Sequence, residues 1–310
     1  MNTPTKVYEY YWKIYETLPP YEQFHFISRL FLVKGDIRAK NEIEKLKKTY
    51  DTLTQQEVWD DLQKKLTNTA TINHAESRKV FLEKYPTIRK NARDLFTYFF
   101  AKKLFNIDLQ KTLRNEMTDE WDSTTTALLA DVSAVKELSA YVINFVLLYT
   151  HYKEGNTDSE ITTQLYELSK EIYTSDSDSQ ENEMWIYFLT HLIIGDTLFY
   201  IAPLCSSKRE LYAEMIHHLQ KSIERRYFEI HLDCKLEFLV CSHLTGSHSY
   251  LEDVILSEAS ESLSMDGDFV IDIYTSNKQL HRTTAITSEH RNVLFLLAFY
   301  EKIDQEVLNH

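Results

Sequence analysis

Only five glycines punctuate this chain of 310 residues, where average usage would supply roughly four times as many, and the prolines are equally few. A backbone so short of turn-forming residues favours long helices with brief connections over short strands. The same scarcity removes chemistry. Gly246 and Gly267, the two closest glycines, are 21 positions apart, so no GxGxxG dinucleotide turn, phosphate loop or kinase glycine loop can be written. No GxSxG elbow or HExxH helix occurs either, and no nucleotide cofactor is expected.

Apolar periodicity predicts helices over about 5–18 and 21–34, parted by Pro19-Pro20 and closed by Gly35, then a charged helix over 36–50. Two more cover about 54–66 and 74–84, and Pro86 opens another that runs to 105. Polar 118–126 reads as a loop or a helix start, and Ser133 is placed to cap the helix that Gly155 closes. Further helices are expected at about 158–173, 184–202, 207–226, 231–244 and 249–263, with a last one starting at Ser288. One stretch departs from this pattern: "DFVIDIY" and "HRTTAIT", at 268–274 and 281–287, alternate like the strands of a hairpin after Asp266-Gly267.

The expected fold is therefore all-α, an irregular bundle-like or solenoid-like array of antiparallel helix pairs with one β-hairpin at about 268–287. Its expected organisation is an N-terminal helical region over 1–174, an acidic Ser-rich linker over 175–183 and a C-terminal helical region over 184–310. The linker holds Asp176 and Asp178 but lacks the glycine and terminal glutamate of a calcium loop.

A net charge of −13 repels a phosphate backbone, so nucleic-acid binding is disfavoured. The one basic stretch, Arg29 to Lys48, reads as a solvated helix face. Cys205, Cys234 and Cys241 are odd in number and have no CxxC spacing, as suits reduced thiols in a cytoplasm. The polar, aromatic N-terminus does not resemble a secretory signal, and the apolar segment 184–202 is interrupted by His191 and Asp196. That segment reads as a buried core helix, and no membrane association is expected.

Candidate chemistry concentrates in the C-terminal half, where eight of the twelve histidines fall between 191 and 290. On a helix over 231–244, Leu232, Leu236, Leu239, Val240 and Leu244 form an apolar arc opposite His231, Lys235 and Ser242. Asp233 and Glu237 project toward the apolar side, where an unpaired carboxylate is costly. His191 has Gly195 one turn on, which would leave a gap beside its ring, and Asp272 alternates with Val270 and Tyr274. "SEHRN" places His290 and Arg291 in a first helical turn, whose dipole favours anions over cations.

Two readings follow. In the functional one, Asp233, Glu237, His290 and Arg291 perform acid-base work, or His191, Asp233 and Glu237 bind a divalent metal, which would make the chain a hydrolase. In the structural one, Asp233 caps its helix, Glu237 pairs with Arg291 or Lys235, and Cys234 and Cys241 act as small hydrophobes. The leading expectation for function is an all-helical binding or scaffold protein. Its 20 tyrosines would engage a protein partner or line a pocket for a small ligand.

Overall fold

The computed structural model describes residues 2–68, 76–117, 120–173, 179–272 and 283–308. Helix accounts for 75% of the structure, and no strand occurs among the described residues, so the all-α class holds. The chain forms two compact units: a middle unit of residues 50–215 and a terminal unit made of 1–49 with 216–310. The acidic stretch at 175–183 falls within the middle unit; its residues up to 178 lie outside the described ones, and from Ser179 onward it is helical.

The chain begins with α1 (Thr3–Ile14), α2 (Pro20–Lys34) and α3 (Ile37–Tyr50). It continues through α4 (Gln55–Lys65), α5 (Glu76–Lys84), α6 (Ile88–Phe100), α7 (Gln110–Glu116), α8 (Glu120–Ala130) and α9 (Val132–Leu138). Next come α10 (Ala140–Glu154), α11 (Ile161–Ile172), α12 (Ser179–Asp196) and α13 (Arg209–Arg225). The last helices are α14 (Leu232–Leu244), α15 (Leu251–Glu261), α16 (Glu289–Phe299) and the single turn α17 (Gln305–Leu308).

Local chemistry sets many of these boundaries. Pro20 starts α2, and Gly35 ends it at φ 65, donating its N–H to the Leu30 and Phe31 carbonyls. Thr54 and Glu57 form a reciprocal capping box at the start of α4. Ser133 caps nothing: the Asp131 side chain accepts the Ala134 N–H instead and starts the short α9. The chain then turns at Ser139, with φ 43 and ψ −111, so α9 and α10 meet at 108° rather than forming one helix. Among the described residues, no single helix is long and apolar enough to cross a membrane.

In the terminal unit, α16 packs against α1, α2 and α14, and Asn292 through Phe299 are buried without a break. α14 is buried from Leu232 to Ser242 except at Asp233, so the expected polar face at Lys235 and Ser242 does not reach solvent. Lys235 is 0% exposed in its side chain; its Nζ donates to both Glu258 oxygens at 2.8 and 2.9 Å and sits 4.0 Å from the centre of the Tyr227 ring. A helix covered on several sides has no solvent face to reveal, and it recruits a partner for any charge it carries.

No β-hairpin occurs among the described residues of the stretch where one was expected. Its central residues 273–282 lie outside the described ones, and 285–288 form a turn leading into α16. Val270 makes an isolated antiparallel bridge to Leu263. The reason lies in α16: Asn292 accepts the Val270 N–H at 2.8 Å and donates to its carbonyl at 2.9 Å, as a neighbouring strand would. The Ile271 N–H goes to the Ser262 carbonyl at 2.6 Å, so this extended stretch satisfies its backbone against helix ends.

In the middle unit, α10 packs between α6 and α12 and buries Val142, Ile143 and Phe145 through Tyr149. Gly195 permits the approach of α10 to α12 and leaves no gap beside His191. A Cβ there would collide with Leu147 Cδ1 and lie 3.6 Å from Leu147 Cβ. Gly195→Ala is therefore expected to lower the unfolding free energy by about 1–2 kcal/mol in urea, because overpacking outweighs the gain in helix propensity. A variant as stable as the parent would show that Leu147 simply turns aside.

Side chains of the basic stretch are partly spent on the protein itself. Arg38 lies 4.6 Å from the Trp12 ring centre, Lys34 pairs with Glu301 at 3.0 Å, and Lys45 pairs with Glu42 at 2.6 Å.

Candidate functional site

The residues that sequence singled out on α14 and α16 are divided among separate tasks. Arg291 donates from Nε to Asp233 Oδ1 at 2.5 Å, both side chains being partly exposed. Glu237 is buried at 3% exposure beside Cys241, whose thiol is pushed well above its ordinary range by burial and by that carboxylate. Cys241 is thus a fully buried thiol whose surroundings disfavour the thiolate form. Asp272 serves α14 from outside the helix, accepting from His231 Nδ1 at 2.9 Å and from the Leu232 N–H at 3.3 Å, so the cap that Asp233 was expected to provide comes from elsewhere.

His191 belongs to the middle unit, where its Nδ1 meets Asn144 Oδ1 at 2.8 Å. His191, Asp233 and Glu237 do not form a group able to hold a metal ion, and neither do any other three His, Cys, Asp or Glu among the described residues.

His290 lies at the surface of α16 with its ring centre 5.4 Å from that of His25, a residue of α2. His25 itself is nearly buried. It stacks on Tyr21 and places Nδ1 3.0 Å from each oxygen of Glu289, whose side chain is 2% exposed. Burial pushes the Glu289 carboxyl up to about 8, and burial together with Arg29 holds His25 well below its usual 6.5. These opposed shifts leave the pair sharing one proton at neutral pH. Sequence reading passed over both residues because they are 264 positions apart.

A second polar centre, in the middle unit, was visible in sequence only as one charge in an apolar segment. α12 ends at Asp196, which is 0% exposed, where the helix dipole already disfavours an anion. Four groups converge on it. Thr162 donates to Oδ1 at 2.6 Å, while Tyr212 and Lys208 donate to Oδ2 at 2.8 and 3.1 Å. His151, in the last turn of α10, brings Nε2 to 3.4 Å from Oδ1. Lys208 also donates to the Thr157 carbonyl and to Thr162, which uses all three of its hydrogens. Burial and the Asp196 charge push the Tyr212 hydroxyl well up, which favours its protonated, donating form.

Immediately after Asp196 the backbone turns through three consecutive left-handed residues, Leu198, Phe199 and Tyr200, at φ 49, 57 and 75. Each is unfavourable for a side chain with a Cβ. The turn is held by Thr197, whose hydroxyl accepts the Tyr200 N–H and whose carbonyl accepts the Ala202 N–H, both at 2.8 Å. It drives Phe199 into the core, edge-on to Phe96 with ring centres 4.4 Å apart.

This turn forms one lip of a cleft of about 360 Å³. Tyr98, Phe99 and Tyr152 supply aromatic walls, Lys102 and Asn156 are its exposed polar side chains, and the buried His151 forms its inner end. Tyr98 and Tyr152 meet at 89° with ring centres 5.4 Å apart, making a corner in which one flat ring could lie. Compared with known protein families, curated proteins and solved structures, the chain matches none of them.

Proposed function

We propose that this chain is a helical binding protein and that its ligand site is the aromatic cleft of the middle unit. The observation that carries this reading is the combination of an open, ring-walled cleft with a rigid polar support behind it. Small-molecule sites are concave and mostly apolar, with a few polar groups held in fixed positions, and the cleft volume of about 360 Å³ falls in their usual range. Asp196 ties α11, α12, α13 and the stretch before α11 together behind His151, so the inner end of the cleft is preorganised. The hydrolytic alternative draws no comparable support: Asp233 is engaged by Arg291, and His191 by Asn144.

Single-ring probes test the proposal. Benzyl alcohol, benzoate and benzylamine can each be titrated into isotope-labelled full-length protein while backbone amide resonances are followed. At least one should shift the amides of 98–102, 151–157 and 198–202, the segments that line the cleft, and Tyr152→Ala should abolish those shifts. If all three probes leave these segments unmoved, or the shifts survive in Tyr152→Ala, the cleft is not a ligand site.

A further inference from the structure

Resting on that reading, we propose that the cleft selects an aromatic carboxylate, a compound with one flat ring and one anionic acid group. The inference starts from charge. The chain carries −13 overall, yet the lining of this cleft includes Lys102 and His151 and no Asp or Glu. Lys102 forms no ion pair among the described residues; its Nζ lies 3.5 Å from Tyr98 Oη and 5.7 Å from the ring centre. A cation left over in an acidic protein, at the rim of an aromatic cleft, attracts anions.

His151 adds to this from the inner end. Its side chain is 1% exposed, Nδ1 is 3.0 Å from the Asn156 carbonyl, and Nε2 has no hydrogen-bond partner. The nearest acceptor to Nε2 is Asp196 Oδ1 at 3.4 Å. Both flanking groups accept hydrogens and donate none, so the ring can meet them only as a donor. Asp196 is matched by the Lys208 ammonium, so no uncompensated negative charge stands behind the cleft. An acid group entering from solvent therefore meets the Lys102 ammonium with no acidic side chain in the cleft lining to oppose it.

The walls fix the rest of the ligand. The corner between Tyr98 and Tyr152 accepts a flat ring against one face and edge-on to the other, the arrangement that aromatic pairs prefer.

Calorimetric titration of the full-length protein with sodium benzoate, benzyl alcohol and benzylamine separates the ligand class from the existence of the site. Benzoate should bind at least tenfold more tightly than either of the others. Lys102→Met, which keeps the aliphatic stem, should erase the difference between benzoate and benzyl alcohol. Benzyl alcohol or benzylamine binding as well as benzoate would overturn the proposed class while leaving the cleft a ligand site. A preference for benzoate that persists in Lys102→Met would overturn the role of that cation and the charge argument with it. Failure of all three probes to bind would remove the site and the ligand class together.

Discussion

Replacing Asp196 by alanine is expected to lower the unfolding free energy by about 3–5 kcal/mol, the range found when one member of a buried ion pair is removed. The cost arises from what is left behind. Lys208 is 8% exposed in its side chain and would keep only two neutral acceptors, the Thr157 carbonyl and the Thr162 hydroxyl. Tyr212 would lose the acceptor of its buried hydroxyl. Asp196→Asn retains shape and one accepting oxygen but loses the charge and turns an amide NH2 toward donors, so it should cost less than Asp196→Ala without being neutral. Adding Lys208→Met to Asp196→Ala should recover part of the loss, because no cation is then stranded. Urea unfolding of the three variants at neutral pH tests this; a loss under about 1 kcal/mol for Asp196→Ala would mean that water replaces the carboxylate freely.

Breakers and caps were readable because their physics is local. Pro20, Gly35 and Gly155 act within one helical turn of themselves, and the helix ends they mark fall where they were expected, whereas the start expected at Ser133 does not, because the chain turns at Ser139. The hairpin failed for the opposite reason. Alternation in "DFVIDIY" reports an extended backbone but not its partner, and that partner is the side chain of Asn292, 22 positions away from Val270. Lys235 failed similarly: a helical wheel can place a charge opposite an apolar arc but cannot reveal that another helix covers that side and supplies Glu258.

For the candidate sites, sequence picked out charges in apolar surroundings and could not pair them. It noted Asp196 in an apolar segment, yet Thr162, His151 and Lys208 come from three other parts of the chain. An anion beside Arg291 was anticipated more closely, because a cation in a first helical turn implies one, although the structure supplies Asp233 where Glu237 was expected. The left-handed run from Leu198 to Tyr200 left no trace at all, since it contains no glycine or asparagine to announce it.

The His25 and Glu289 pair leads to the second large effect, a stability that depends on pH in a defined direction. In the unfolded chain Glu289 titrates near 4.5; in the fold, burial moves it up to about 8. Between those values the folded state holds a proton that the unfolded state has released, so stability falls as pH rises through this window and levels off above it. Each pH unit in the window is worth about 1.4 kcal/mol at most, and the His25 ring can donate Nδ1–H to the carboxylate once it ionises, which offsets part of the cost. Glu289→Gln keeps the shape and removes the titration. Its stability relative to wild type should therefore rise between about pH 5 and pH 8, reaching a gain on the order of 2–4 kcal/mol at pH 9. His25 is shifted the other way, toward loss of stability in acid as the unfolded histidine takes up its proton below 6.5. That contribution is present in both proteins and largely cancels in their difference. Urea midpoints measured for both at half-unit pH intervals give the comparison directly, and a difference that stays constant from pH 5 to 9 would show that Glu289 is already ionised in the fold at neutral pH.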